Sequence, residues 1–338
     1  MISKLEQYLK QLIKINGYIT LDNFLSIVIK YYYSKKESIG ADKDFITAPE
    51  ISQMFGEIIG VYLGNYWLNN LKGKFTLVEL GPGKGLLMND ILRATKNIPK
   101  MHDNIEEIAL IEISPILKQQ QERTLKSYDN IKINWYEDLN SIDGNSYLII
   151  ANEFFDALPI KQYHIEQNKK YEVVVSFNND NFILKLVPVE MRKEDIGFKG
   201  ILEISTNRLN YATKIAKKLQ ASSGAAIIID YGYIDPIDKS TIQVLKNHKK
   251  QNSIFDDLGN ADITSLVNFK KLVDIFDKHH LDFKITSQAE FLLQHGINKR
   301  AEILIGSGAK KESIELQLKR LLSNNGMGLN FKVLTVNT

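Results

Sequence analysis

The chain has 338 residues, enough for one large domain or two, and 44% of them are hydrophobic, which is enough to build a substantial core. The formal net charge of +3 is small, so composition does not indicate a nucleic-acid-binding surface. The absence of cysteine excludes disulfides, thiolate metal sites and a cysteine nucleophile, and it fits a reducing compartment. The N-terminus resembles neither a signal peptide nor a transit peptide, and no apolar run approaches membrane-spanning length. We therefore expect a cytoplasmic protein without membrane insertion.

The N-terminal region is predicted to be helical. Two amphipathic helices are expected within residues 1–37, separated by a turn at Gly17. A loop over 38–48 would follow, and then a helix that begins at Pro49 and continues to Trp67.

The chain is organised around residues 77–88 (LVELGPGKGLLM), where an apolar run and an acid precede three glycines at alternate positions. This order predicts a strand, a tight turn and a helix. Glycine lets the backbone turn sharply and lets a ligand approach, and the helix N-terminus presents unpaired N–H groups beside that ligand. The pattern predicts a ligand-binding turn at Gly81, Gly83 and Gly85; an ordinary βα turn without a ligand is the alternative.

The residues around the turn discriminate between ligands. Leu86 stands where a dinucleotide-binding turn has its third glycine, and no Gly-Lys-Ser/Thr follows as it would in a P-loop. The carboxylate of Glu79 would repel a pyrophosphate but suits a cationic ligand. S-adenosylmethionine carries a sulfonium and an ammonium, and methyltransferases hold it with a turn of this kind. We therefore expect S-adenosylmethionine as the cofactor.

Acidic residues also follow the next three predicted strands. Glu112 ends the second strand, where a Rossmann-like fold holds ribose hydroxyls. After the third strand, Glu137 and Asp138 are both candidates to accept from the adenine amino group, and we favour Asp138. The fourth strand runs into residues 152–159 (NEFFDALP), which place two carboxylates and two aromatic rings at the edge where α/β sheets carry their chemistry.

The rest of the chain continues the α/β pattern with two interruptions. In chain order we predict a β-hairpin insertion within 161–200, a helix over 201–220, a strand over 225–229 ending at Asp230, an irregular cover over 233–265, helices over 266–279, 288–294 and 310–322, and closing strands over 283–286 and 331–336.

Several stretches, in the same order and covering nearly the whole chain, resemble the MidA family of S-adenosylmethionine-dependent methyltransferases. They are 44–57, 78–88, 112–115, 152–159, 230–232, 288–292 and 327–334. Three positions depart from the family pattern: Lys43 replaces a glycine, and Leu266 and Asn268 replace a histidine and an aspartate.

The resemblance implies a Rossmann-like class I methyltransferase fold, with a seven-stranded, mostly parallel sheet whose last strand is antiparallel. Residues 71–338 would form this domain, and residues 1–70 would cover its cofactor site. Mitochondrial members of the family are protein-arginine methyltransferases and assembly factors for respiratory complex I. The implied substrate is therefore a protein, namely a complex I subunit. We expect no metal, because the six histidines form no ligand pattern. We also expect no nucleic-acid partner, because the net charge is small.

We assign site residues accordingly. The predicted cofactor-binding residues are Thr47, Glu50, Gln53, Glu79, Gly81, Gly83, Gly85, Leu86, Glu112, Ile113, Asp138, Leu139 and Asn152. The predicted acceptor site comprises Glu153 and Asp156 as a carboxylate clamp for a guanidinium, Asp230 and His248 for proton handling, and Phe154, Phe155 and Tyr231 as walls. Capping and solvation also explain Thr47, Glu50 and Gln53, and helix capping and core packing also explain Asp156 and the two phenylalanines.

Two other functions fit the same cofactor half. The protein would methylate RNA or a small molecule, for which the lysine-rich stretch 246–250 is the only indication. Alternatively, it would be an assembly factor that binds the cofactor or a client without turnover, with the hairpin at 171–186 as a docking edge.

Overall fold

The computed structural model describes residues 3–34, 47–179 and 181–338. Most of the loop predicted at 38–48, together with Lys43 and the first residues of the family-like stretch 44–57, lies outside the described residues.

The N-terminal region consists of α1 (Lys4–Asn16), β1 (Ile19–Thr20), α2 (Leu21–Tyr33), α3 (Ala48–Ile51) and α4 (Gln53–Tyr66). The predicted turn at Gly17 is confirmed, since this residue has a φ of 80° and ends α1. The single helix predicted from Pro49 to Trp67 is wrong. Ser52 is extended, and its side chain accepts from the N–H of Met54, so it ends α3 and caps α4.

The first half of the central sheet alternates strands and helices: β2 (Phe75–Leu80), α5 (Leu86–Thr95), β3 (Ile105–Ile111), α6 (Pro115–Thr124), β4 (Ile133–Tyr136) and β5 (Ser146–Asn152). The predicted strand, turn and helix around 77–88 are confirmed by β2 and α5.

The insertion after β5 is larger than the predicted hairpin. Its strands are β6 (Lys161–Glu166), β7 (Lys169–Asn178), β8 (Asn181–Val189) and β9 (Gly200–Ile204). β7 and β8 form the expected hairpin, but β6, β9 and the N-terminal β1 join it in a five-stranded sheet. Because residues 200–204 pair with β6, the helix predicted from 201 begins only at Thr206.

The rest of the chain contains α7 (Thr206–Ala221), β10 (Ser223–Tyr233), β11 (Ile242–Lys246), β12 (Lys249–Lys250), β13 (Asp262–Ser265), β14 (Val267–Asn268), α8 (Phe269–Lys278), β15 (Asp282–Ser287), α9 (Gln288–Gln294), α10 (Ile297–Gly306), α11 (Lys311–Leu322), α12 (Met327–Asn330) and β16 (Phe331–Asn337). The predicted irregular cover contains a small sheet of β12, β11 and β13. The helix predicted from 266 begins at Phe269, because Asn268 caps it through the N–H of Lys271.

The central sheet has the order β15-β16-β10-β5-β2-β3-β4, and β14 pairs with β10 as an eighth strand. β16 is antiparallel to both of its neighbours, while β10, β5, β2, β3 and β4 are parallel. The carboxyl ends of β2, β3 and β5 therefore meet at one edge. The sheet is thus mixed, in an α/β fold.

Helices cover both faces of this sheet. Alternate strand residues point to opposite faces, so Leu77 packs with α4, α5, α9, α10 and α11, whereas Val78 packs with α7 and α8. A third core joins α1 and α2 to the five-stranded sheet and to β11 and β13. No helix within the described ranges is both long and apolar enough to cross a membrane.

Candidate active site

The turn between β2 and α5 depends on its three glycines. Gly81, Gly83 and Gly85 have φ values of 65°, 53° and 79°, in the left-handed region that favours glycine. A Cβ on Gly81 would lie 2.8 Å from Cδ2 of Phe154, whereas a Cβ on Gly83 would have nothing within 4 Å. The turn therefore packs tightly on one side and is open on the other.

A cavity of about 370 Å³ lies at this open side, within the range of ligand pockets. It extends from the glycine turn to the N-terminal region. Among its lining residues are eleven that the sequence predicted: Thr47, Glu50, Glu79, Gly81, Gly83, Leu86, Glu112, Ile113, Asn152, Glu153 and Phe154.

Two polar side chains at the base of the cavity are unsatisfied. Oε2 of Glu79 and Oδ1 of Asn152 are buried and have no hydrogen-bond partner among the residues that the structure describes. Burial raises the pKa of Glu79 from 4.5 to about 8. An orphaned buried acceptor is costly, so the pair is suited to a cationic or N–H-bearing group of a ligand.

Glu112 is held at the end of β3 by two donors. Its Oε1 accepts from the N–H of Ser114 at 2.7 Å, and its Oε2 accepts from Nε2 of Gln121 at 3.3 Å. The same Nε2 donates to the carbonyl of Gly83 at 2.7 Å, while Oε1 of Gln121 accepts from Nε1 of Trp135 at 2.7 Å. Gln121, which the sequence did not single out, thus fixes the acid and the glycine turn together.

The turn after β5 places Glu153 in the cavity. Glu153 has a φ of 50°, a conformation that few residues other than glycine adopt. Its Oε1 accepts from the N–H of Ala48 at 3.0 Å and from Nδ2 of Asn152 at 3.2 Å. Burial and, to a smaller extent, the neighbouring carboxylates of Asp156 and Glu50 together raise the pKa of Glu153 to about 8. A carboxyl with this pKa is able to exchange a proton near neutral pH.

The cavity is closed at its edge by an ion pair between α3 and the glycine turn. Nζ of Lys84 lies 2.7 Å from Oε1 of Glu50, and the N–H of Thr47 donates to Oε2 of Glu50 at 3.3 Å. α2 contributes the residues of one helix face, Ser26, Ile29, Lys30 and Tyr33, and α7 contributes Asn207 and Tyr211. This half of the cavity was missed, because amphipathic spacing alone does not say which face of a helix borders a cavity.

Comparison with known proteins agrees with this geometry. Residues 58–286 match the family described as "Putative S-adenosyl-L-methionine-dependent methyltransferase". The chain belongs to this family. Zebrafish (Danio rerio) "Protein arginine methyltransferase NDUFAF7, mitochondrial" is 31% identical, with 90% of this chain and 79% of that protein covered. The Caenorhabditis elegans homologue is 29% identical, with 97% and 85% covered. The human protein is 27% identical, with 98% and 82% covered.

A solved structure from Burkholderia thailandensis, a methyl transferase candidate bound to S-adenosyl-homocysteine, has the same fold. It superposes with a TM-score of 0.86 at 22% identity, covering 99% of this chain and 92% of that chain. The family, the cofactor and the enzyme class predicted from the sequence are therefore confirmed: the protein is an S-adenosylmethionine-dependent methyltransferase.

The residues present fit this cofactor. The orphaned acceptors of Glu79 and Asn152 suit its cationic amino-acid portion, and the position of Glu112 at the end of β3 suits the ribose hydroxyls. The open side of Gly83 leaves room for close approach of a ligand to the backbone.

Two predicted cofactor residues at the β4 end, Asp138 and Leu139, do not line the cavity. Glu137, the other candidate at this strand end, does line it. Asp138 accepts from the N–H of Asn140 at 2.8 Å and forms an ion pair with Lys214, whose hydrogen bond lowers the pKa of Asp138. Leu139 is buried in the core on the α7 side. Successive residues at a strand end point to opposite faces, which is why a shift of one position matters.

Gln53 and Gly85 are also displaced from the cavity wall. Gln53 is exposed at the start of α4. A Cβ on Gly85 would meet Cα of Gln121 at 3.4 Å, so this glycine serves helix packing and the turn itself.

Most of the predicted acceptor residues do not line the cavity either. Phe155 is fully buried in the core, and the ring of Tyr231 lies 5.5 Å from that of Phe331. His248 is exposed in the turn between β11 and β12. Asp230 is fully buried and accepts from backbone N–H groups of the turn after β5, so it faces that turn rather than the cavity.

Asp156 lies in the same turn as Glu153 but outside the cavity lining. Burial raises its pKa to about 6, opposed by Arg208. Phe154 does line the cavity, and its ring packs edge-on against Tyr211 at 4.9 Å. The described residues contain no group of three or more side chains able to hold a metal ion.

Proposed function

We propose that this methyltransferase modifies an arginine side chain of a protein substrate. The observation that carries the proposal is the carboxyl of the half-buried Glu153, which lines the same cavity as Glu79 and Glu112. The names of the relatives from zebrafish, Caenorhabditis elegans and human, each a protein arginine methyltransferase, support the same acceptor.

Two groups of residues in the cavity have different roles, one in binding the cofactor and one in binding the acceptor. S-adenosylmethionine supplies an electrophilic methyl group when it is bound. Glu79, Asn152 and Glu112 bind and orient it through their acceptors. Glu153 accepts hydrogen bonds from the guanidinium of the substrate, holds its charge on one side and takes up the proton that methylation releases. Alignment of the acceptor is the main contribution that the protein must make.

The walls of the acceptor half differ from those first expected. We propose that Phe154 and Tyr211 border the guanidinium, in place of Phe155 and Tyr231. Tyr33, whose hydroxyl donates to Asp262 at 3.2 Å, borders the same half from α2.

The finer assignments remain proposals as well. We assign the fold to the Rossmann-like class I methyltransferases, with residues 71–338 as the methyltransferase domain, insertions at 161–200 and 233–265, and residues 1–70 as the cofactor cover. The substrate is a subunit of respiratory complex I, methylated during assembly, as the MidA resemblance implies. The relatives are named mitochondrial; for this chain we propose the cytoplasm, or the mitochondrial matrix in a eukaryote.

The test uses labelled S-adenosylmethionine and lysate from cells that lack the protein. Wild type should label one protein band, and mass spectrometry of that band should find methylated arginine. Glu153→Gln should reduce transfer about 100-fold or more, the range of a lost acid–base group, and leave S-adenosylhomocysteine affinity within about threefold. Glu112→Ala is the control in which cofactor affinity itself should fall.

Other outcomes identify the alternatives. Label in RNA or in small molecules would replace the protein substrate. No label in any fraction, with cofactor still bound, would indicate a non-catalytic assembly factor. Full transfer by Glu153→Gln would exclude Glu153 as the acceptor carboxylate.

A further inference from the structure

The turn after β5 holds its key residue in an unfavourable backbone conformation. Glu153 has a φ of 50°, which strains the backbone of a residue that carries a Cβ. Such a conformation persists only where the surroundings impose it. The N–H of Glu153 donates to the carbonyl of Ile229 at 3.0 Å, which fixes the start of the turn on β10.

Two later backbone N–H groups of the turn both donate to one carboxylate. Oδ2 of Asp230 accepts from the N–H of Phe155 at 2.8 Å and from the N–H of Asp156 at 3.2 Å. Its Oδ1 accepts from the N–H of Tyr231 at 2.8 Å, which fixes the carboxylate plane relative to β10. Asp230 is fully buried, so water does not compete for these bonds.

The backbone carbonyls of Phe155 and Asp156 both accept hydrogen bonds from one guanidinium. Nε of Arg208, on α7, donates to the carbonyl of Phe155 at 2.7 Å, and its Nη2 donates to the carbonyl of Asp156 at 3.1 Å. Arg208 is buried, and its remaining donors reach the carbonyl and Oγ of Ser265 and the carbonyl of Leu266 at 2.7 to 2.9 Å. Because it is planar and carries donors in a fixed fork, Arg208 ties the turn to the end of β13 and the residue that follows it in one geometry.

Phe155 and Asp156 are thus fixed through both of their backbone polar groups, by the buried side chains of Asp230 and Arg208. We propose that Arg208 and Asp230 are positioning residues that hold the turn after β5 so that the carboxyl of Glu153 stays in the cavity. This inference rests on the proposed role of Glu153. It gives Asp230 a structural task in place of the proton handling that the sequence suggested.

The protonation of Glu153 reports whether this arrangement is intact. The ionisable groups that face Glu153 are Glu50 on α3, Asp156 in its own turn and Asp230 on β10. Burial, together with the carboxylates of Asp156 and Glu50, keeps the pKa of Glu153 near 8. If the turn loosens, the carboxyl gains access to water, and its pKa returns toward the usual value of a glutamate.

The experiment measures this pKa through folding, without any methyl acceptor. Because the folded state binds the proton of Glu153 more tightly than the unfolded state, wild type should lose stability relative to Glu153→Gln as pH rises from about 4.5 to about 8. Urea unfolding of the full chain across and above this range gives the titration midpoint of Glu153 in the folded protein, which is the pH at which this difference levels off. The same comparison is then made in an Arg208→Lys background.

In the Arg208→Lys background, the midpoint should shift down by at least about one pH unit. Arg300→Lys is the matched control: Arg300 donates to Glu57 at 2.7 and 2.8 Å, away from the turn, so its loss should lower stability and leave the midpoint near 8. If Arg208→Lys does not fold, the second variant is Asp230→Asn, which places an amide opposite the N–H groups of the turn. It should shift the midpoint by a similar amount. An unchanged midpoint in the folded variants would overturn the inference.

A binding measurement separates this inference from the proposed function. Arg208→Lys should bind S-adenosylhomocysteine within about threefold of wild type, because the hydrogen bonds that Arg208 makes to described residues go to the turn after β5 and to the end of β13 rather than to the cofactor acceptors. A shifted midpoint together with full transfer by Glu153→Gln would reject the proposed function and keep the positioning role. Lost transfer in Glu153→Gln with an unshifted midpoint in Arg208→Lys would keep the proposed function and reject the positioning role.

Discussion

The N–H of Ala48 donates to Oε1 of Glu153 at 3.0 Å, across 105 positions of the chain. This bond joins the first residue of α3, in the N-terminal region, to the turn that follows β5. The segment that closes the cofactor end and the carboxyl that faces the acceptor end are therefore mechanically linked. Movement of α3 would change the hydrogen bonding of Glu153 directly.

Glu79 is predicted to lower the stability of the ligand-free protein. Its folded pKa of about 8 lies above its ordinary value, so the penalty grows as pH rises to about 8 and is constant above it. Glu79→Gln should therefore stabilise the ligand-free protein by about 1–3 kcal/mol at pH 8 and weaken S-adenosylhomocysteine binding at least about tenfold. Urea unfolding and calorimetric titration measure the two effects.

Glu107 provides the matched control. It is also buried, but its carboxylate accepts from Asn134 at 2.6 Å and from the hydroxyl of Tyr136 at 2.7 Å. Glu107→Gln should therefore destabilise the protein by about 1–3 kcal/mol. If the two variants changed stability in the same direction, the orphaned state of Glu79 would be refuted.

Methyl transfer is predicted to depend on the ionised form of Glu153. A carboxyl loses its proton as pH rises, so with saturating cofactor kcat/KM for the acceptor should rise to a plateau above about pH 8. Initial rates with the labelled substrate band at constant ionic strength test this, and a profile that is flat between pH 6 and 9 would contradict it.

Two glycines of the turn should respond differently to a methyl group. Gly81→Ala adds a Cβ 2.8 Å from Phe154 to the left-handed strain, and should cost about 2–4 kcal/mol of stability. Gly83→Ala meets no atom within 4 Å, so it should cost only about 1 kcal/mol while its methyl group narrows the cavity and weakens S-adenosylhomocysteine binding. Equal stability losses in the two variants would show that the contact with Phe154 is not limiting.

The ion pair between Lys84 and Glu50 should retain the cofactor more than it stabilises the fold. Lys84 is partly exposed, so Lys84→Met should change stability by less than about 1 kcal/mol. Because the pair closes the edge of the cavity, we expect S-adenosylhomocysteine to dissociate several-fold faster, as stopped-flow displacement measures. Lys311→Met, which removes an exposed pair with Glu315, is the control and should leave dissociation unchanged.

Much of the cofactor half could be predicted from the sequence because its signals are local. The glycine turn requires glycine at three left-handed positions, and buried parallel strands are continuous apolar runs whose ends are easy to find. The acids that follow such strands fall at one sheet edge, which identified Glu79, Glu112 and Glu153. The same reasoning does not predict to which face of the sheet a single residue beyond a strand end points. The choice of Asp138 over Glu137 therefore had no firm basis in the sequence.

The acceptor half and its supports were decided by tertiary structure. Arg208 reaches the carbonyl of Phe155 from 53 positions away, and Gln121 reaches that of Gly83 from 38. An arginine or a glutamine within a helix carries no local pattern that names a backbone carbonyl as its partner. The sequence by itself determined the first strands of the central sheet, the glycine turn and the acids at the sheet edge, because each follows from a local residue pattern. Only the packing of α2, α3 and α7 against that edge determined which of these groups share a cavity, because burial is a property of the assembled chain.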